Sequence, residues 1–235
     1  MVGVAQLVEH RLVVPVAAGS SPVIHPRTTE ARTSPSRAGP GLGRILGDDT
    51  VAPVDLITSL ERLAEQNLSG VAFLTAYGVT WVACGLLWRR TTEQVATYAT
   101  LFQGLFALPA ALGLSALIGA IGPDRPVGDE ITQLSVLIGT SQLLGLPLLI
   151  VLVVRHQYRL VPFTFAAITS MHFVLYAWLY RTPVYIAMAV MISLGTMVVT
   201  LTAPEESRSS PARVCFLTGG LLLTTALLFL VHHRG

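Results

Sequence analysis

Six runs of nearly uninterrupted apolar residues follow one another along the chain, at 69–88, 98–121, 131–154, 160–180, 184–203 and 214–231. Each is close to the roughly 20 residues a helix needs to cross a bilayer. Only helices or closed barrels satisfy their own backbone in lipid, and barrel strands would be shorter and alternate. The runs therefore predict six transmembrane helices. Their connections are short, so consecutive helices should be antiparallel neighbours. Ahead of them, residues 54–67 place Leu56, Ile57, Leu60, Leu63 and Ala64 at helical spacing, with Glu61, Arg62 and Glu65 between. That pattern predicts a short amphipathic helix leading into the membrane. Residues 1–50 show no helical period, and from Arg27 to Asp49 they turn to Arg, Thr, Ser, Pro and Gly. This composition predicts a disordered tail. The expected fold is all-α: a six-helix transmembrane bundle with a disordered N-terminal tail and an amphipathic lead-in.

Smaller signals refine the bundle. Pro109 and Pro147 lie inside the second and third runs and should kink them, since each removes a backbone bond and clashes with the preceding turn. Pro183 suits a helical first turn. Trp88, Tyr98, Tyr158 and Tyr180 cluster at run ends, as membrane-interface aromatics do. Gly113, Gly119 and Gly122, and Ser141 with Gly145, suggest close helix packing.

Composition agrees with a membrane protein and excludes other classes. Apolar residues are 52% and charged residues 12%, with a mean hydropathy of +0.65. A soluble domain carries about 25% charge. A typical soluble enzyme, a disordered protein and a disulfide-rich secreted domain are thereby excluded. The net charge of +2 argues for no nucleic-acid partner; the partner implied is the lipid bilayer. All basic residues are Arg, consistent with GC-rich coding. Arg89, Arg90, Arg155, Arg159, Arg208 and Arg213 lie in the first, third and fifth loops, against Arg62, Arg125, Arg181 and Arg234 on the opposite side. This small bias puts the odd loops in the cytoplasm. Cys84 and Cys215 have no metal-ligand spacing and read as buried, inert thiols.

The opening of the chain reads unusually well as nucleotide sequence. Val4-Ala5-Gln6-Leu7-Val8-Glu9 can be encoded GTA GCT CAG TTG GTA GAG, which resembles the D-arm of a bacterial transfer RNA gene. Ala18-Gly19-Ser20-Ser21-Pro22 can be encoded GCG GGT TCG AGT CCC, which resembles the T-arm. Gly3 to Pro26 spans about one such gene, and the next Met is Met171. Residues 3–26 thus resemble a translated transfer RNA gene. The native start is expected between Leu46 and Val54, and the broken apolar stretch before it is no secretory signal.

Candidate chemistry is sparse. The chain has no HExxH, no intramembrane carboxylate, no nucleophilic Ser in a GxSx setting, no clustered Asp, and no phosphate or dinucleotide fingerprint. No catalytic residue, cofactor or metal is expected, and the protein is read as not an enzyme. The absence of a mid-membrane acid counts against an ion-driven pump. One polar constellation remains. Thr169, His172 and Tyr176 share one face of the fourth helix at i, i+3 and i+7; Ser135, Gly139 and Gln142, at i, i+4 and i+7, share one face of the third. Gln142 and His172 fall near the middle of their runs, so antiparallel packing sets them at similar depth. Both are costly to expose to lipid and should face protein or a shared cavity. The bland reading is an interhelical hydrogen bond; the functional one is a small-solute site. A single His without a carboxylate or Cys is a poor metal site.

The stretch QLLGLPLLIV at 142–151 and, after a basic loop, SMHFVLYAWLYRTPVYIAMAVMI at 170–192 carry a resemblance. With the turn and aromatic first helix around Gly70 and Trp81, they resemble an uncharacterised family of small bacterial multi-pass membrane proteins, over about Leu60 to Thr202. The chain departs from that pattern at Leu175, where the family has Pro. The resemblance implies a bacterial plasma-membrane location and supplies no activity. Two functions follow: a permease-like or small-solute-binding bundle around Gln142 and His172, or an interaction scaffold with a packed core and no substrate.

Overall fold

The computed structural model describes residues 56–121, 129–204 and 209–233. The expected disordered tail and the segment resembling a transfer RNA gene lie outside the described residues. Among those described, the chain is helical and contains six helices long and apolar enough to cross a membrane.

The lead-in helix α1 spans Leu56–Gln66. It is amphipathic as the pattern requires: Leu60 turns inward while Glu61, Arg62 and Glu65 stay exposed. It joins the first span through a tight turn at Leu68–Gly70. Leu68, Ser69 and Gly70 all take left-handed φ, at 45°, 52° and 83°. Only glycine adopts that region freely, so the first two residues store strain that neighbouring contacts must hold.

The first span continues as α2, Val71–Arg90. The second is split into α3, Glu93–Phe102, and α4, Gly104–Leu117. It begins earlier than its apolar run because Thr92 caps it, accepting from the Val95 N–H at 3.4 Å. The third is α5, Asp129–Ser141, a 3₁₀ turn at Gln142–Gly145, and α6, Leu146–Val154. The fourth opens with a 3₁₀ turn at Tyr158–Leu160 and runs as α7, Val161–Leu179. The fifth is α8, Val184–Thr202, and the sixth α9, Ser209–His232. The third span breaks in the turn just before Pro147, whereas the second breaks at Gln103, six residues before Pro109, which itself lies inside α4. Pro109 and Pro147 cannot donate backward, and their rings crowd the preceding turn.

Packing is uneven. The first and sixth spans form the tightest pair, and the fifth lies against the fourth and sixth. Lipid supplies no hydrophobic drive between helices, so close approach of backbones through small residues has to. Gly78 and Gly219 provide it: a Cβ on Gly219 would lie 2.8 Å from the Gly78 carbonyl oxygen. Gly145 is likewise closed, by Ile168. Gly113 and Gly119, expected to serve close packing, have nothing within 4 Å. Their helix, α4, packs on the first span with other residues. The third span is the most peripheral, with 11% of its apolar window buried against 44% for the first and sixth.

The aromatic expectation also needs correction. Trp88 and Tyr180 sit at helix ends but are buried in protein, not at the membrane interface. Each has a polar partner that draws it inward: Trp88 Nε1 donates to Thr100 Oγ1 at 3.1 Å, and Tyr180 Oη accepts from Asn67 Nδ2 at 2.8 Å. On the odd-loop face, Arg159 pairs with Glu93 at 2.8 Å and Arg89 lies 4.7 Å from the Phe216 ring centre. The ion pair is half-exposed and worth at most about 1 kcal/mol.

Candidate functional site

Four helices each turn one stripe toward a common cavity of about 470 Å³. It lies in the half of the bundle nearest α1. Helix α7 contributes Thr169, His172, Phe173 and Tyr176, at i, i+3, i+4 and i+7. Helix α5 contributes Thr132, Ser135, Val136, Gly139 and Thr140, and Gln142 follows at the first residue of the 3₁₀ break. Helix α4 contributes Leu108, Leu112 and Ser115, and α2 contributes Phe73, Leu74 and Tyr77. Asn67, Gly70, Tyr180 and Tyr185 line the end beneath the lead-in helix.

The structure thus places all five sequence-derived candidates, Ser135, Gln142, Thr169, His172 and Tyr176, on one cavity wall system. It does not join Gln142 to His172: no hydrogen bond links them. Gln142 is half-buried and lines the cavity. His172 is buried, and its Nδ1 has no hydrogen-bond partner. Ser135 and Thr169 donate to the carbonyls of Ile131 and Phe165 on their own helices, each at 2.8 Å. Their oxygen lone pairs remain free to accept. The bland reading, an interhelical hydrogen bond, is met in another form: the His172 ring bonds the Ile138 backbone of the third span and not the Gln142 side chain.

Sequence reasoning missed the aromatic end of the cavity. Tyr176 and Tyr180 stack at 5.8 Å between ring centres, Tyr180 and Tyr185 at 5.6 Å, and Phe173 and Tyr185 at 6.1 Å. His172 meets the Tyr176 ring edge-on at 4.8 Å. Tyr185 Oη donates to the Ser69 carbonyl at 2.5 Å, pinning the strained turn. A Cβ on Gly70 would fall 2.8 Å from that same hydroxyl, so glycine is required there by both φ and space. The signal was present: Tyr176, Tyr180 and Tyr185 recur at near-helical intervals across a short loop. Spacing assigns Tyr176 to the site, but Tyr180, at a run end, reads as an interfacial aromatic.

Ser115 was also missed. It is 1% exposed, lines the cavity, and its hydroxyl has no partner. Asn67 donates to Tyr180 but its Oδ1 accepts from nothing. Ser115, Asn67 and His172 thus each bring an unfilled hydrogen-bonding atom to the lining. Such groups are costly when dry, by about 1–3 kcal/mol each, unless something occupies the space beside them. Among the described residues the lining carries no Asp, Glu or Arg side chain. What the arrangement can do is bind: it offers flat ring surfaces, an amide, hydroxyls and an imidazole around one volume. That volume lies within the usual range for small-molecule pockets.

Residues 60–232 match the model of a family described as a family of unknown function, DUF7010. The match covers most of the chain, and the protein belongs to that family. This agrees with the resemblance to a family without known activity and extends it through the sixth span. No curated protein and no solved structure matches the chain.

Proposed function

We propose that this protein is a non-enzymatic bacterial inner-membrane bundle that holds a small solute, in the manner of a permease, in the cavity between its first four spans. The observation that carries the reading is the convergence of Ser135, Gln142, Thr169, His172 and Tyr176 on one open volume of about 470 Å³. A scaffold with a uniformly packed core would have no use for it. Unfilled hydrogen-bonding atoms on Ser115, Asn67 and His172 add to the case.

Thiol accessibility tests the reading. Cys84 and Cys215 are both buried and give an unreactive baseline. Ser135→Cys is expected to react with a small methanethiosulfonate in nanodiscs, and Ile192→Cys, in the packed core, is not. An unreactive thiol at 135 would mean a closed interior and would leave the scaffold reading standing. The imidazole's Nδ1 has no partner and the ring's hydrogen bond is to the Ile138 backbone on the third span, so His172→Leu is expected to cost no more than about 2 kcal/mol.

The same reading places the odd loops in the cytoplasm, on the Arg bias alone. An alkaline phosphatase fused after Arg90 is expected to be inactive in cells. Activity there would invert the orientation and move the cavity's end of the bundle to the cytoplasmic side.

A further inference from the structure

The cavity has a side opening. After the break at Gln103, α4 packs on the first span, while the third span packs on the fourth. The second and third spans share no substantial interface among the described residues. Between them the lining reaches the outer surface: Leu108, Leu112 and Val136 line the cavity and are also 45%, 44% and 61% exposed. All three lie inside membrane-spanning segments, so the gap faces hydrocarbon. Gly139 stands on the cavity side of this mouth, and a Cβ there would meet nothing within 4 Å. The aromatic wall of Phe173, Tyr176 and Tyr185 and the unfilled hydroxyl of Ser115 lie deeper.

Resting on the solute-binding reading above, we infer that the ligand is a ring-bearing amphiphile dissolved in the bilayer, which passes sideways between the second and third spans. Its ring packs against the tyrosine wall, and its polar group meets Ser115, Gln142 and His172. Its apolar tail stays in the leucine-lined mouth. Each part of that molecule matches a part of the cavity. A ring finds edge and face partners. A hydroxyl or carbonyl fills otherwise orphaned polar atoms. An alkyl tail leaves through a mouth whose walls are as apolar as lipid. The described lining supplies no counter-charge, so an ionised head would be buried unpaired, which is costly.

The probes are 4-hexylphenol, phenol, 1-hexanol and 4-hexylbenzoate, titrated against the full chain in phosphatidylcholine nanodiscs, with affinities corrected for partition into lipid. 4-Hexylphenol is expected to bind about tenfold more tightly than each of the other three. Gly139→Trp fills the mouth and is expected to weaken it about tenfold. Gly220→Trp is the matched control, since Gly220 also has open space beside it but lies on the sixth span outside the cavity, and it should bind as wild type. A diazirine-bearing alkylphenol on the unmodified chain gives a second readout that needs no variant. Its label is expected in the peptides containing Leu108–Ser115 and Thr132–Thr140. Phenol binding as tightly as 4-hexylphenol would leave solute binding intact and overturn the lipid-borne ligand. So would tighter binding of the benzoate. Hexylphenol binding that survives Gly139→Trp, or label spread over other spans, would place it on the general lipid-facing surface and overturn the side route. Failure of every probe to bind, with an unreactive thiol at 135, would remove the solute-binding reading as well; failure to bind with a reactive thiol would remove only this ligand class.

Discussion

Gly219→Leu is expected to unfold the bundle's central pair and lower stability by at least about 3 kcal/mol. A Cβ at this position would lie 2.8 Å from the Gly78 carbonyl oxygen and 3.0 Å from the Val82 backbone nitrogen. Both are backbone atoms of α2, so no side-chain rotation relieves the clash. The two helices must separate, and separation gives up the packing that holds the first and sixth spans together in a solvent with no hydrophobic drive of its own. The next residue supplies the control. Gly220 has nothing within 4 Å, and Gly220→Leu should stay within about 0.5 kcal/mol of wild type. Denaturant titration of both variants in detergent micelles measures the difference. Equal stability of the two would mean that the first and sixth spans do not cross at Gly78 and Gly219.

Tyr185→Ala is expected to cost about 3–5 kcal/mol, the range for removing a buried ring. Its ring is 2% exposed and lies 5.5–6.1 Å, centre to centre, from Phe173, Tyr176, Tyr180 and Phe229. The hydroxyl adds a separable effect. It donates to the Ser69 carbonyl, inside a turn where two non-glycine residues hold left-handed φ. Tyr185→Phe keeps the rings and abandons that carbonyl, at about 1–3 kcal/mol. The conservative variant should therefore loosen the turn more than the bundle. Limited proteolysis in nanodiscs reads this: cleavage near Gln66–Gly70 should rise in Tyr185→Phe while the thermal midpoint falls less than in Tyr185→Ala. If Tyr185→Phe protects the turn as well as wild type does, the hydroxyl contact is not what holds it.

The helical stripes of the cavity were legible, and its walls were not. Spacing put Thr169, His172 and Tyr176 on one face of the fourth span, and Ser135 with Gln142 toward one face of the third. Those assignments follow from the 3.6-residue repeat and need no partner. Spacing could not show what lies opposite. It suggested that Gln142 and His172 face each other or a shared cavity; both line the cavity, and which neighbours close it is not written in the spacing. Ser115 and Asn67 look like any polar residue in a helix or before a turn. Their importance comes from being buried without partners, which depends on neighbours distant in sequence. Tyr180 gave a misleading signal for the same reason: an aromatic at a helix end is drawn to the interface or to a buried amide, and Asn67 lies 113 residues away.

The number and type of elements were set by the sequence alone. A membrane helix satisfies its own backbone, so its existence depends on the apolarity of one local run and not on any other part of the chain. The break before Pro147 is local in the same sense, because a proline acts on the turn before it. The arrangement of the helices was decided only in three dimensions. In lipid, a leucine facing hydrocarbon and a leucine facing another helix have nearly the same surroundings, so apolar pattern does not reveal which face is buried. What chose between them was close approach at Gly78 and Gly219, the tyrosines gathered on the Leu68–Gly70 turn, and the packing of α4 on the first span and of the third span on the fourth. Gly113 and Gly78 read alike in the sequence; one faces open space and the other touches a backbone, and that difference exists only once the helices are packed.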